Sequence, residues 1–239
     1  MQDHLSSLGE MSEFSAVNRE AARRALATLL AKAAIGQFPP ADGSVDILPQ
    51  PCDRYAGVIS LTGYAVIFAD ADPEWVAAQL PPGDLSGPLT AGFLHSLSER
   101  LGRQTHSVDM LTCAAPLTGP PPHDLRLSEL VTSAGARHPR IARALGHRDD
   151  VRAWQTPGGV VVLGRGVAGR FEVAIEVDPQ DRSHGLGARL ATAARHLVPD
   201  GATLWAQIAP ANAASVRAFL AAGFRPVGAE ALLSRDLPE

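Results

Sequence analysis

Residues 171–197 read as a strand, an irregular turn and a helix in direct succession, and this run narrows the fold of the 239-residue chain most. Phe171, Val173, Ile175 and Val177 alternate with Glu172, Ala174 and Glu176. A period of two with one apolar and one polar face marks a half-buried strand. Asp178 to Gly187 then holds a proline, three acidic or amide residues and two glycines before an amphipathic stretch with Leu186, Leu190, Ala194 and Leu197 as its stripe. That stripe recurs at helical spacing. A strand that feeds a helix through a short turn is the building unit of α/β proteins.

The surrounding sequence extends the pattern. Pro139–Leu145 reads as a short helix, Val151–Gln155 and Val160–Leu163 as strands about a Pro157-Gly158-Gly159 turn, and Thr203–Ile208 as a strand. Asn212–Ala222 reads as a helix closed by Gly223, and Arg225–Leu233 as one or two last strands. The order α-β-β-β-α-β-α-β predicts an α/β domain over the second half.

Pro120, Pro121 and Pro122 in succession favour an extended spacer. The charge balance changes near them: residues 1–120 carry 7 basic and 13 acidic residues, the remainder 14 and 12. Together these predict an N-terminal α/β domain over 1–115, a proline-rich linker over 116–124 and a second domain over 125–239. The first half begins with a polar tail. A helix follows over Ser15–Ala34, with Val17, Ala21, Leu26, Leu29 and Leu30 on one side. Ser44–Leu48 reads as a strand, and Gly57–Leu61 and Tyr64–Phe68 flank Thr62-Gly63 as a hairpin. Helices near Pro73–Leu80 and Leu89–Leu101 and a strand at Ser107–Leu111 complete it. No catalytic motif stands out there.

Composition excludes several classes. With 46% hydrophobic and 19% charged residues the chain can bury a sizeable core. A net charge of -4 speaks against a general nucleic-acid binder. No apolar run is long enough for a membrane span, and the first residues lack a signal-peptide pattern. Two cysteines, Cys52 and Cys113, cannot build a disulfide framework or a multi-cysteine metal site. A cytoplasmic setting is expected. Twenty arginines against one lysine suggest GC-rich, bacterial coding.

The turn Arg182-Ser183-His184-Gly185-Leu186-Gly187 carries the chemistry. Glycines allow close approach of backbone to a ligand. The first N–H groups of a helix lack intrahelical partners and carry partial positive charge, which suits a phosphate. A dinucleotide fingerprint would need G-x-G-x-x-G, and a Walker A loop a Gly-Lys pair; neither is present. Taken alone, the glycine pair is also consistent with a tight strand-to-helix junction and no ligand.

The segment resembles the acyl-CoA loop of the GNAT acetyltransferase superfamily, whose pattern is Gln/Arg-x-x-Gly-x-Gly/Ala after a strand ending in valine. Arg182, Gly185 and Gly187 fill it in register, with Val177 and Pro179 upstream. A second family element follows as Asn212, Ser215 and Gly223-Phe224 on a helix after a strand. The resemblance covers about residues 125–235. It implies a mixed central sheet flanked by helices, with the N-terminal α/β domain open to being a degenerate GNAT-like half.

It also implies an acyl-CoA-dependent N-acyltransferase with acetyl-CoA or another short acyl-CoA as co-substrate. The acceptor would be a small-molecule or peptide amine; neither nucleic acid nor membrane is a partner, and a homodimer is one assembly open to it. By resemblance the N–H groups of Arg182, Ser183, His184, Gly185, Leu186, Gly187 and Ala188 hold the pyrophosphate. The backbone at Ile175 and Val177 pairs with the pantetheine arm, and Asn212 and Ser215 contact the cofactor. Asn212 also suits a helix N-cap. An ammonium acceptor must lose a proton before attack. Glu172 and Glu176 are the candidate bases, two carboxylates on one strand face that would raise each other's proton affinity; a solvated or ion-paired face, with Arg170 near, is the alternative. Where the family carries a tyrosine as general acid, this chain has Phe219. That departure leaves a non-catalytic acyl-CoA-binding module as the rival. Arg137-His138-Pro139-Arg140 and Gly146-His147-Arg148 bracket the short helix, where a histidine reads as a proton carrier or a cap. Trp154 and Trp205 read as core, and Arg165 and Arg170 as a solvated hairpin tip.

Overall fold

A computed structural model describes residues 2–81, 83–131 and 138–235; Arg137 lies outside them. The chain is a mixed α/β protein that packs as two units. One holds the chain up to Ser107 together with the return from Glu230 onward, and the other holds Val108–Ala229. The division falls inside two strands.

In the first unit, α1 spans Gln2–Ala34. The expected polar tail is therefore helical, because Gln2–Phe14 is rich in helix-compatible residues and contains no proline. The buried stripe is Ala22, Leu26, Leu30 and Ala33. Val17 and Ala21, expected on it, are exposed. Gly36 at φ 83° ends the helix, with Gln37 N–H bonded to Lys32 O at 2.9 Å. This is a Schellman closure.

The strands are β1 (Ser44–Leu48), β2 (Tyr55–Leu61) and β3 (Tyr64–Phe68), and β2 and β3 form the expected antiparallel hairpin. β1 joins β3 in parallel, and the order within the unit is β1-β3-β2 followed by β10 (Arg225–Ser234). A Cβ on Gly57 would lie 2.7 Å from Ala231 O and 2.7 Å from Phe68, so β2 and β10 meet at a residue with no side chain. Helices α2 (Pro73–Ala78) and α3 (Ala91–Leu101) are capped by Asp72 and Thr90.

In the second unit the order is β10, β4 (Gln104–Ala114), β9 (Leu204–Ile208), β8 (Phe171–Val177), β7 (Gly159–Arg165), β6 (Asp149–Thr156) and β5 (Ser128–Leu130). β5 has three residues, too short for a periodic signal, and was not anticipated. The β5–β8 strands are antiparallel neighbours, as are β4 and β9, while β8 and β9 run parallel. One sheet face buries Phe171, Val173 and Leu204 with Leu190 and Ala194 of α5 (Leu186–Leu197) and Phe219 of α6 (Ala213–Ala221). The other buries Val160 and Val162 with Ile141 and Ala144 of α4 (Pro139–His147). Trp154 and Trp205 are buried, as expected.

The segment before the triple proline is fastened to α5. Leu117 N–H bonds Arg195 O at 2.8 Å, and Arg195 Nε donates to Ala115 O at 2.9 Å. Among the described residues no helix is long and apolar enough to cross a membrane, and no group of His, Cys, Asp or Glu could hold a metal ion.

Candidate functional site

β8 is paired along its whole length with β7, from Arg165↔Phe171 to Gly159↔Val177. Its pairing with β9 is confined to Phe171↔Leu204 and Glu172↔Trp205 among the described residues. β8 continues five residues beyond the last pair and β9 three, to Ile208, which stays paired with Met110 of β4. Two parallel strands, each anchored on its far side, therefore part after Glu172 and Trp205. Among the described residues, the edge of β8 over 173–177 that looks toward β9 has no strand on it.

The chain leaves β8 into a short 3-10 turn, Pro179–Asp181. Asp178 N–H bonds Gly158 O at 2.8 Å, and a Cβ on Gly158 would lie 2.6 Å from the Asp181 carboxyl. The β6–β7 turn thus seats the start of the glycine segment. Arg182 folds back, its Nε donating to Val177 O at 3.1 Å. Ser183 has φ 66° and Gly185 φ 81°, two left-handed residues in three. Ser183 pays strain there that glycine would not. Gly185 is the N-cap of α5 and offers no side-chain cap, and the first intrahelical bond is Arg189 N–H to Gly185 O at 3.2 Å. The N–H groups of Leu186, Gly187 and Ala188 are left without partners among the described residues. An uncapped helix start with oriented donors is electropositive.

The two glycines differ. Nothing lies within 4 Å of a Cβ built on Gly185, so this face of the turn is open. A Cβ on Gly187 would touch Ala218 at 3.5 Å and Val177 at 3.8 Å. Gly187 thus faces α6 and β8, and its missing side chain serves packing. Ser183 and His184 are exposed, and Ala188 is half-buried. Ile175 and Val177 are half-buried and turn their side chains toward the α5 core.

Asn212 sits at the start of α6, its Oδ1 accepting from Ser215 N–H at 3.1 Å. The side chain is thus engaged as a cap; Asn212 is exposed and Ser215 half-buried. Phe219 is buried against Phe224, edge to face at 4.9 Å.

Glu172 and Glu176 share the α4 face of β8. They are four residues apart, about 13 Å along the strand, too far to act as a carboxylate pair. Glu172 is 4% exposed. It accepts from Arg170 Nε at 2.9 Å, Arg148 Nε at 3.0 Å, Gln207 Nε2 at 3.0 Å and Val167 N–H at 3.3 Å. Burial pushes its proton affinity up, but the two guanidinium groups prevail and hold the carboxyl below its ordinary range. The expected mutual increase is absent at Glu172 for this reason. Arg170, read as solvated, is buried over the Trp205 ring at 5.5 Å, whereas Arg165 remains partly exposed.

Glu176 is half-buried and, among the described residues, meets Arg140 Nε at 3.2 Å, with both side chains more than a third exposed. His138 caps α4, its Nδ1 accepting from Arg140 N–H at 3.2 Å, so the capping reading holds. Sequence reasoning did not single out Gln207 or the role of Arg148. A polar residue two places after Trp205 in an otherwise apolar strand was the available signal for Gln207.

No family model and no curated protein matches the sequence. Among the solved structures similar to the chain are three GNAT proteins. A GCN5-related N-acetyltransferase from Kribbella flavida shares 20% identity over 61% of this chain and 64% of its own, with a TM-score of 0.39. A protein from Novosphingobium aromaticivorans assigned to the GNAT acetyltransferases shares 18% over 57% and 69%, at 0.40. A tandem GNAT protein from the clavulanic acid biosynthesis pathway shares 14% over 61% and 59%, at 0.31.

Proposed function

We propose that the chain is an acyl-CoA-dependent N-acyltransferase that moves an acyl group, acetyl in the simplest case, to a primary amine by direct attack. The observation that carries this reading is the parting of β8 and β9 beside an uncapped helix start. A pyrophosphate would accept from the free N–H groups of Leu186, Gly187 and Ala188, with Gly185 open to solvent above it. An amide-bearing arm would lie along the unpaired edge of β8, taking the place a strand would fill. At the end of that edge the arm would take the place of Arg182 Nε on Val177 O.

Acyl-CoA supplies an activated carbonyl. The amine nitrogen forms a bond to that carbon as the carbon–sulfur bond breaks; CoA leaves as its thiolate and takes up a proton, and the amine loses one. Backbone donors of β8 would stabilise the oxygen as negative charge develops on it. Glu176, about 13 Å along β8 from Glu172, is our candidate to receive that proton at the end of a chain of waters, because it is accessible and its partner among the described residues, Arg140, is partly exposed. Glu172 has a different task, since its oxygens are already taken. The buried Phe219 favours a second reading, a binding module without turnover. We place either in a reducing compartment, with Cys52 and Cys113 unbonded.

Calorimetry with CoA and acetyl-CoA tests the site. Gly185→Val forces a branched side chain to φ 81° and covers the open face. Affinity should fall at least tenfold, about 1.4 kcal/mol. Unchanged affinity in a folded variant would remove the turn from the site. Acetylation of a panel of amines by the wild-type chain separates enzyme from binding module.

A further inference from the structure

We propose that Glu172 and Gln207 form an end-stop that restricts the acyl group to about two carbons; this rests on the acyl-CoA reading and deepens it. The backbone ladder between β8 and β9 ends at Glu172↔Trp205. Gln207, two residues past Trp205 and so on the same face, reaches back to donate Nε2 to Glu172 Oε1 at 3.0 Å. The apex between the parting strands is therefore closed by a side-chain bridge where backbone pairing has stopped.

This bridge cannot swing aside freely. The Glu172 carboxylate is also held by Arg148, Arg170 and Val167 N–H. A Cβ on Gly166 would lie 2.2 Å from the carboxyl carbon, so the group fills its space. Moving it would leave two arginines, 4% and 12% exposed, short of a counter-charge.

Chain length then sets what reaches the bridge. A ligand held at the α5 start enters the opening from the Val177 end. From Val177 to Glu172 is five residues, about 16 Å at strand rise. The arm between the pyrophosphate and the sulfur of CoA has twelve bonds, four residue equivalents, or about 14 Å extended. The sulfur stops short of Glu172, and the acyl carbons fall next to the bridge. Acetyl ends there. A four-carbon chain would push methylene groups onto a buried carboxylate and amide, leaving polar groups without partners.

Calorimetry on the full chain with CoA, acetyl-CoA and butyryl-CoA tests the end-stop. The wild type should bind butyryl-CoA at least tenfold more weakly than acetyl-CoA. Gln207→Ala, which removes the amide, should bring the two within threefold while CoA itself changes less than threefold. Gln207→Asn, polar but one methylene shorter, should lie between and serves if the alanine variant does not fold. A wild type that binds both esters equally, or a ratio unmoved by both substitutions, overturns the end-stop alone. A wild type that binds none of the three overturns the acyl-CoA reading and the end-stop together.

Discussion

The two ends of β8 share a strand, a face and a residue type, and differ in what surrounds them. At the first end β8 is paired on both sides, and Glu172 is buried among two arginines, an amide and a backbone donor. At the second end one side is open, and Glu176 is half-exposed beside Arg140. Sequence periodicity gives both glutamates the same face and so the same chemistry. Neighbouring strands decide otherwise. A carboxylate saturated with donors is a structural charge, and one beside a partly exposed partner keeps oxygens for a substrate.

The largest expected effect breaks the first end. Glu172→Ala leaves Arg148 and Arg170 with lost counter-charge and should cost about 3–5 kcal/mol in urea unfolding. A loss below about 1 kcal/mol would mean that the cluster is not the anchor described. Next in size, Glu176→Gln should lower amine acetylation about tenfold, less than the roughly 100-fold or more of a base in direct contact. Its stability should change by less than about 1 kcal/mol, as expected for an exposed ion pair. Turnover equal to wild type across pH would assign the proton to water or another group.

Acid sharpens the comparison further. The Glu172 carboxyl is held below its ordinary value of 4.5. Its contribution to stability is therefore fully present above about pH 4.5 and is lost as pH falls through the folded-state value. The stability gap between wild type and Glu172→Gln, followed by urea unfolding, should be constant above that pH and shrink below it. A gap that widens in acid contradicts the assignment. The smallest effect separates the two glycines. Gly187→Ala places a Cβ at ordinary contact distance in a helix and should stabilise by about 0.5–1 kcal/mol in urea unfolding. A loss of stability would show that the first turn of α5 packs more tightly than its spacing indicates.

Much of the second unit was legible because its signals are local. The alternation of Phe171–Val177 gave β8 with its limits, and Asn212 before an apolar run gave the α6 cap. Gly185 read as the start of a helix, and it is the N-cap of α5. What stayed hidden depends on partners distant in sequence. Nothing near Glu172 announces Gln207, 35 positions on, or Arg148, 24 positions back. Gly158 and Gly166 looked like turn residues, yet each makes room for a carboxyl group, that of Asp181 or of Glu172. The proline run predicts a boundary at 116–124, whereas the units divide within β4 and β10. A cut at the prolines would remove β4 from its pairing with β9.

The return of β10 to the first unit also orders events in time. The ribosome completes residues up to Ser107 and then makes Val108–Ala229 before Glu230 emerges. Those 122 intervening residues take roughly 6–24 s at about 5–20 residues per second. Throughout that interval the hairpin strand carrying Gly57 lacks the neighbour it closes against. An unpaired apolar strand edge is a template for wrong partners. The nascent first unit therefore keeps that edge uncovered until the strand beginning at Arg225 has been made.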